Sequence, residues 1–502
     1  MSVVIALLPI ILIFILLFFF KLSSLRVGVL SLLAAVAITA LYPYYHIRPD
    51  RLVHASVQGS LTAFVAAYVL FFGILLFHLM NSVGGIQTIA SYISQVTRDH
   101  SNQALLITAG LSPLIESTSG FGIAFMMVAP IFLSLGFSPM RSALLGLVSL
   151  LAVPWGALAT GTVIGAGLGG ISLHKLGAGT ALLSIPVFLY FMAAAVGIAG
   201  GRAALKRRWK EVLLYAAVFA ASMLLLNQYV SVELAGVLSS LLTLAIGISV
   251  MMVPGVGAKT GKAAAEMSAA GEGQGAAMGV LKAVSPYVAL TVLIFISRLW
   301  TPFKEFLESH AVIRLPAYSF SMALLYSPGF WLLVTCLFTV LVFRINGGVF
   351  LNCLRKTLKQ WVPFTISTAA FVSMSEVMAE AGMTALLAGA AGALFGSSFL
   401  LVSPLIGGIG GFLTGSNTGS NAMFIKLQIQ TAGQAGLPAD LIAYSQNASS
   451  SHSTMACPSR VMLGASLCGI QSEENQLLKT ITLIAAGAIA LIAFMVLAIS
   501  LM

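Results

Sequence analysis

The apolar residues of this chain form long runs that are separated by short polar breaks. A helix that crosses a bilayer needs roughly 20 mainly apolar residues, and such runs recur from residue 3 to residue 502. They predict membrane helices near 3–21, 27–45, 61–81, 178–199, 211–228, 232–253, 280–299, 329–346, 361–378 and 475–500. The first run lacks a preceding basic residue and a following cleavage site, which predicts a retained helix rather than a secretory signal. The pattern predicts an all-α polytopic membrane protein.

Two regions, 101–170 and 397–469, stay apolar but are interrupted by Gly, Ser, Thr, Asn and Pro. Irregular backbone at membrane depth is tolerated only where protein or a water-filled cavity surrounds it. Both regions have the same order of parts, and the letters Ser-Pro-Leu-Ile at 112–115 recur at 403–406. Corresponding interrupted segments in two halves indicate a transporter built from repeats, with the substrate at their interface.

The interruptions divide the chain into two predicted repeats. The first, 1–253, contains scaffold helices, a re-entrant hairpin at about 103–136 and an interrupted helix at about 143–170. The second, 280–502, contains a hairpin at about 398–432 and an interrupted helix at about 442–469. Residues 254–279 are rich in Gly, Ala, Lys and Glu, which predicts a polar cytoplasmic linker.

Composition agrees with a membrane environment, since only 8% of the 502 residues are charged, against about 25% in soluble chains. The 25 Lys and Arg exceed the 14 Asp and Glu, but the basic residues lie in the breaks, so they indicate membrane orientation rather than nucleic-acid binding. The four cysteines have neither metal-site nor disulfide spacing. We predict no metal and no cofactor.

The densest basic clusters, at 202–210 and 344–359, are predicted to be cytoplasmic. About 12 crossings plus two hairpins then place both termini outside. In that arrangement the first hairpin enters from the cytoplasm and the second from the opposite side, so the two repeats are inverted.

The two interrupted regions contain polar, glycine-rich tips, which run from Glu116 to Gly122 and from Thr414 to Asn421. Glycines allow sharp turns and close approach to a ligand, while Ser, Thr and Asn cap the following helix. Two helix N-termini aimed at one cavity would form an anion site. The alternative is a pair of capped turns in a packed bundle, where small residues serve helix contacts.

The segments 115–122, 411–422 and 446–448 resemble the signatures of the lactate permease family. This resemblance implies uptake of lactate, and often glycolate, with protons across the plasma (inner) membrane. It also implies an elevator-type carrier, in which a substrate domain moves against a scaffold, and a homodimer, since elevator carriers are often dimers.

Residues of the two tips and of the second interrupted helix are the candidates for substrate binding. They are Ser117, Thr118, Ser119, Gly120, Gly122, Ser416, Asn417, Thr418, Ser420, Asn421, Asn447 and Arg460. Glu116 and His452 are the candidates for proton coupling, because ionisable groups at membrane depth are functional by default.

Each ionisable candidate also has a structural alternative. Glu116 could be a helix-terminus acceptor. The guanidinium of Arg460 matches a carboxylate, but it could also snorkel to the interface or pair with Glu116. His452 could relay a proton or be a hydrogen-bonded histidine of the bundle.

Other classes of protein fit the sequence less well. An intramembrane enzyme lacks support, since the chain has no His-Glu-x-x-His or Gly-x-Ser-x-Gly motif. The absence of a phosphate-binding loop indicates that a gradient drives transport. A channel usually repeats its filter through identical subunits, whereas two unlike tips suit alternating access. A carrier of another small organic acid remains the alternative to lactate.

Overall fold

A computed structural model describes residues 2–120, 122–252, 279–318 and 320–501. The helices of the first half are α1 (Ser2–Phe18), α2 (Ser24–Leu41), α3 (Pro49–Ser82), α4 (Gly85–Val96), α5 (His100–Leu106), α6 (Ser112–Ser119), α7 (Ile123–Ser134), α8 (Pro139–Val148), α9 (Gly156–Gly169), α10 (Leu173–Arg207), α11 (Trp209–Tyr229) and α12 (Val232–Met252). The helices of the second half are α13 (Val280–Leu299), α14 (Thr301–Ser309), α15 (Pro328–Phe343), α16 (Gly347–Glu380), α17 (Met383–Phe395), α18 (Phe399–Thr414), α19 (Asn417–Gln434), α20 (Ala439–Ser453), α21 (Pro458–Leu467) and α22 (Glu474–Ser500).

The strands β1 (Val312–Leu315) and β2 (Phe320–Ala323) form a small antiparallel sheet between α14 and α15. The other described residues are helical or join helices, in agreement with the predicted helical class. The predicted linker, 254–279, lies outside the described residues except for Gly279.

Nine helices of the described residues are long and apolar enough to cross a membrane, or ten if α8 and α9 count as one bent span. The chain is therefore a multi-pass membrane protein. The expected 12 crossings stay a prediction. Two of the helices expected to cross, α1 and α15, have only 17 and 16 residues. A third, α20, is too polar to be counted as a membrane span by its composition.

Two long helices of the predicted scaffold, α3 and α16, have 34 residues each and pack antiparallel. Ser373 donates to the carbonyl oxygen of Ser56 (2.9 Å), and the Trp361 indole donates to that of Ala67 (2.7 Å). Residue numbers thus rise along one helix as they fall along the other. A Cβ on Gly59 would lie 2.5 Å from Cα of Ser373, so small residues bring the backbones together.

The order of elements after α3 recurs after α16. Each of these helices is followed by a glycine in the left-handed conformation, Gly84 (φ 71°) and Gly382 (φ 76°), which glycine adopts without steric cost. A short helix comes next, α4 with 12 residues or α17 with 13. A helical hairpin and an interrupted helix then follow in both halves.

The first hairpin consists of α5, a π-helical turn (Ile107–Leu111), α6 and α7, and the second consists of α18 and α19. Their tips lie at Gly120 and Gly122 and at 415–416. The arms of the second hairpin pack closely, since a Cβ on Gly410 would meet Oγ of Ser420.

The first interrupted helix consists of α8 and α9, which meet at 57°. Near the break, Ala157, Leu158 and Ala159 have left-handed φ angles of 39°, 53° and 66°. This conformation costs roughly 1–2 kcal/mol per non-glycine residue, and such strain clusters at functional sites. The second interrupted helix consists of α20 and α21, which are separated by the 3-10 turn Thr454–Ala456.

Candidate functional site

The tip of the first hairpin turns at two glycines with left-handed φ angles, Gly120 (66°) and Gly122 (73°). A Cβ on Gly120 would lie 2.8 Å from Cβ of Ala157, and a Cβ on Gly122 would lie 3.0 Å from Cζ of Arg460. Glycine therefore lets this tip touch both interrupted helices at their breaks.

The carboxylate of Glu116 is buried beside this tip, with 1% of the residue exposed. Its Oε1 accepts a hydrogen bond from the Gly122 backbone N–H at 3.1 Å, at the start of α7. Its Oε2 has no hydrogen-bond partner among the described residues. Glu116 thus acts as a helix-terminus acceptor with one oxygen and has a second oxygen that can take a proton.

The tip of the second hairpin turns at Gly415, which is also left-handed (φ 62°). Ser416 follows as the N-cap of α19, and its side chain accepts from the Gly419 backbone N–H at 3.2 Å. The first N–H groups of a helix lack intrahelical partners and carry its positive dipole end. The positive end of α19 therefore lies at Asn417, within the second tip.

The guanidinium of Arg460 lies between the two tips and is 8% exposed. It donates to the carbonyl oxygen of Gly415 at 2.6 Å and to the Thr454 hydroxyl at 3.1 Å. It therefore joins the second tip to the break of the second interrupted helix. In the described structure Arg460 neither reaches the interface as a snorkelling side chain nor forms an ion pair with Glu116.

A small cavity lies between the tips and the first interrupted helix, with about 310 Å³ of empty space including its mouth. Its enclosed part is only about 20 Å³, which is enough for about one water molecule, so a larger solute requires the tips to move apart. Its lining residues are Glu116, Gly120, Val153, Gly156, Thr160, Gly161, Gly415, Ser416, Asn417, Thr418 and Arg460. The carboxyl group of Glu116 and the guanidinium of Arg460 thus share the cavity, with no hydrogen bond or ion pair between them in the described structure.

A buried amide layer supports the second tip, and Asn447 of α20 is its centre. Oδ1 of Asn447 accepts from Nδ2 of Asn417 (2.9 Å) and from Nδ2 of Asn421 (2.7 Å). Nδ2 of Asn447 donates to the hydroxyls of Thr162 (3.1 Å) and Thr180 (2.8 Å). These bonds connect α19 and α20 to α9 and α10, so the layer fixes the second tip against the first interrupted helix.

Ser420 extends this layer within the second hairpin. Its hydroxyl accepts from Nε2 of Gln446 at 3.0 Å, and Gln446 also pairs with Gln428. Since all three residues are fully buried, Ser420 supports the second tip from behind rather than lining the cavity.

Three predicted residues of the first tip face other parts of the bundle, and the Ser117 hydroxyl has no hydrogen-bond partner among the described residues. The hydroxyls of Thr118 and Ser119 donate to backbone carbonyls of α6, and Ser117 packs against Gly236 of α12. None of the three is among the residues that line the cavity, and their role in binding stays a prediction.

His452 is buried on the side of α20 that faces α10. Its Nε2 is 2.9 Å from the Ser184 hydroxyl, and its ring packs edge-on against Phe188 and Phe191. Nδ1 has no hydrogen-bond partner among the described residues. The structure does not bring His452 to the cavity.

Sequence inspection missed four cavity residues outside the tips, Val153, Gly156, Thr160 and Gly161, and two residues of the amide layer, Thr162 and Thr180. The run Thr160-Gly161-Thr162 lies inside the predicted interrupted helix and resembles the polar letters of the tips. That run was an available signal. Thr180 stands alone in an apolar helix and gave none.

The recurring Ser-Pro-Leu-Ile letters have matching contacts. The hydroxyls of Ser112 and Ser149 are 2.8 Å apart, and Ser403 donates to the hydroxyl of Ser445 at 3.1 Å. In both halves, the serine of the Ser-Pro-Leu-Ile segment therefore joins the first arm of a hairpin to the interrupted helix that follows that hairpin.

Comparison with known proteins extends over nearly the whole chain. A family described as L-lactate permease matches residues 2–323 and 314–502. The L-lactate permease of Halalkalibacterium halodurans is 24% identical over 95% of this chain and 93% of its own length. The L-lactate permease of Escherichia coli K12 is 24% identical over 93% of this chain and 90% of its own length. The glycolate permease GlcA of the same strain is 24% identical over 95% of this chain and 92% of its own length.

Proposed function

Because this chain belongs to the L-lactate permease family, we propose that it is a secondary active transporter that takes up lactate across the plasma membrane by proton symport, with glycolate as a second substrate. Members of the family are permeases, so the chain is a transporter and not an enzyme. The names of its relatives, L-lactate and glycolate permeases, support a 2-hydroxy monocarboxylate as substrate.

The observation that carries this proposal is the cavity in which Arg460 and Glu116 lie together without bonding. A buried guanidinium offers paired donors that match a carboxylate, and the N-terminus of α19 adds a positive dipole end. Thr160 and Thr418 supply hydroxyls nearby. In our proposal Arg460 binds the carboxylate and these polar groups bind the 2-hydroxyl.

Glu116 is the proposed proton carrier. Its free Oε2 is buried next to the cavity, and a protonated acid relieves the cost of a buried charge. An incoming anion near Arg460 and a proton on Glu116 would together keep the cavity close to neutral. His452 remains a second candidate, since its free Nδ1 is also buried.

The proposed motion is of the elevator type. The two hairpins and the two interrupted helices would form the moving domain. The amide layer joins the second hairpin to both interrupted helices, and Gly122 of the first hairpin lies against Arg460. The helices α3 and α16 would belong to the scaffold, together with most of the remaining helices. The recurring element order supports two repeats, which the predicted topology makes inverted, and we propose a homodimer.

The proposed orientation places both termini outside. Cysteine labelling in intact cells tests it, with Ala203→Cys near the basic end of α10 and His310→Cys next to the small sheet. Both positions are exposed. We expect a membrane-impermeant reagent to label His310→Cys but not Ala203→Cys. The reverse pattern would overturn the orientation.

Uptake of labelled lactate by proteoliposomes that contain the purified protein tests the function. We expect labelled lactate to accumulate inside the vesicles when the outside is more acidic than the inside, and only to equilibrate when the two pH values are equal. Lactate flux that ignores the gradient would reject proton coupling. Absence of lactate flux, with uptake of another organic acid, would reject the substrate in favour of a different carrier of the superfamily.

A further inference from the structure

A second cavity lies behind the first and shares Thr160 with it. It encloses about 180 Å³ and is bounded by α3, α9 and the region of the small sheet. Its wall is mainly apolar and includes Val65, Ala66, Val69, Val163, Met322 and Pro328. Among its lining residues, all of which are described, only Glu233 and Arg298 are charged.

The guanidinium of Arg298 is held in place at this wall. Its side chain is 6% exposed, its Nη1 donates to the Tyr326 carbonyl oxygen at 2.9 Å, and its Cζ lies 3.6 Å from the centre of the Tyr326 ring. A buried cation is costly unless it is paired. Its ion-pair partner among the described residues is Glu233.

The pairing between Arg298 and Glu233 is long. Nη2 of Arg298 lies 3.4 Å from Oε1 of Glu233, whereas charge-assisted bonds are usually about 2.7–2.9 Å. Glu233 has other stabilisation, since its Oε2 accepts from the Ser231 hydroxyl at 2.6 Å and it lies in the first turn of α12. A carboxylate there interacts favourably with the helix dipole. Arg298 can therefore turn to another carboxylate without leaving Glu233 unsupported.

We infer that this cavity is a second binding site, a vestibule for small monocarboxylates on their way to the tip cavity, with Arg298 as the group that binds the carboxylate. The apolar wall suits the hydrocarbon part of the anion, and Thr160 forms the boundary that both sites share. The inference rests on the proposed function. In the proposed orientation the vestibule lies towards the outer side, next to the small sheet.

Protection of an engineered cysteine tests this site without measuring transport. Ala323 lines the vestibule, and the four native cysteines are buried, so Ala323→Cys supplies a thiol for maleimide labelling. The background carries Arg460→Ala, which removes the anion partner of the tip cavity. We expect lactate at ten times its Kd to slow labelling about tenfold, and the uncharged analogue lactamide to have little effect.

Three further variants assign the protection to the charge pair. Arg298→Ala should abolish it, whereas Arg314→Ala, which removes an exposed arginine of the same small sheet, should leave it intact. Glu233→Gln should lower the lactate concentration needed for half-protection about fivefold, because the competing carboxylate is gone. A misfolded protein would not show this gain. Protection that survives Arg298→Ala, or equal protection by lactamide, would overturn the inference.

Failure of the vestibule and failure of the proposed function give different results. If wild-type proteoliposomes take up lactate but lactate does not protect Ala323→Cys, the vestibule is rejected and the transport function stands. If wild-type protein takes up no lactate and lactate gives no protection, the proposed substrate is rejected together with the vestibule.

Discussion

The two hairpin tips hold corresponding places in the recurring order of elements but have opposite chemistry. The first carries its own acid, since Glu116 accepts from the Gly122 backbone N–H at the start of α7. The second has no acid: Ser416 caps α19, and Arg460 donates to Gly415. A helix end that already faces a carboxylate does not attract another anion, whereas a helix end beside a cation does.

In the proposed function this difference gives the two tips different tasks. The first tip would handle a proton, and the second tip would bind an anion. A carrier that couples proton and carboxylate needs both, and the shared cavity brings them within reach of each other.

Arg460→Ala should lower kcat/KM for lactate uptake by about 30-fold or more, since truncating one partner of a buried charge pair costs roughly 2–5 kcal/mol. Initial rates in proteoliposomes measure this loss. The matched control is Arg141→Ala, which removes an exposed arginine of the first interrupted helix and should change the rate little. Unchanged affinity in Arg460→Ala would remove the arginine from the site.

Glu116→Gln should abolish accumulation driven by a pH gradient but leave lactate exchange within about threefold of wild type, because the amide oxygen can still accept from the Gly122 N–H. Comparison of net uptake with exchange in the same vesicles measures both. Glu380→Gln serves as control, since that acid pairs with Arg51 at a half-exposed site. Gradient-driven accumulation by Glu116→Gln would move the proton to another group, of which His452 is the first to test.

Gly122→Ala should lower kcat/KM about tenfold, because the new Cβ would lie 3.0 Å from Cζ of Arg460 and would add strain at a positive φ angle. Gly415→Ala should act similarly against Sγ of Cys457, at 2.9 Å. Gly136→Ala is the control for strain alone, since Gly136 has φ 87° and open space around it. Equal effects at all three positions would mean that backbone strain, not crowding of the site, limits transport.

The bases of the hairpins differ as well as the tips. Asp99 caps α5 and pairs with Arg207 (3.1 Å) and Arg208 (2.9 Å), whereas Ser398 makes no side-chain cap on α18. Burial alone would raise the pKa of Asp99, but the hydrogen bond and charge of Arg208 and the backbone N–H groups at the cap outweigh it and hold this pKa below its usual value.

A carboxylate with a lowered pKa stabilises the folded state above its unfolded pKa of about 3.9, and this stability is lost as the pH falls through the folded value. Asp99→Asn keeps a good cap and removes the charge. It should lower Tm in detergent at pH 7, and the difference from wild type should shrink at pH 3. Ser398→Ala should change Tm little at either pH. A difference that persists at pH 3 would contradict the electrostatic explanation.

Much of this site could be predicted from local features of the sequence. Glycines at positive φ angles, such as Gly122 and Gly415, and the polar tips around them could be predicted because a sharp turn demands particular residues at particular positions. Arg460 stood out as an ionisable residue at membrane depth, and Asn447 stood out because 446–448 resembles a signature of the lactate permease family. Thr180 and the pairing of His452 with Ser184 could not be predicted, because these contacts join segments about 270 residues apart.

Membrane residence, the two interrupted regions and their polar tips follow from the sequence alone, because run length, glycine and capping residues set these features locally. Helix packing brings Glu116 and Arg460 to one cavity, makes Glu116 cap its own tip while Arg460 supports the other, and places Thr160 between two cavities. The physical reason is that side-chain proximity depends on how distant helices pack, and apolar periodicity does not encode that packing.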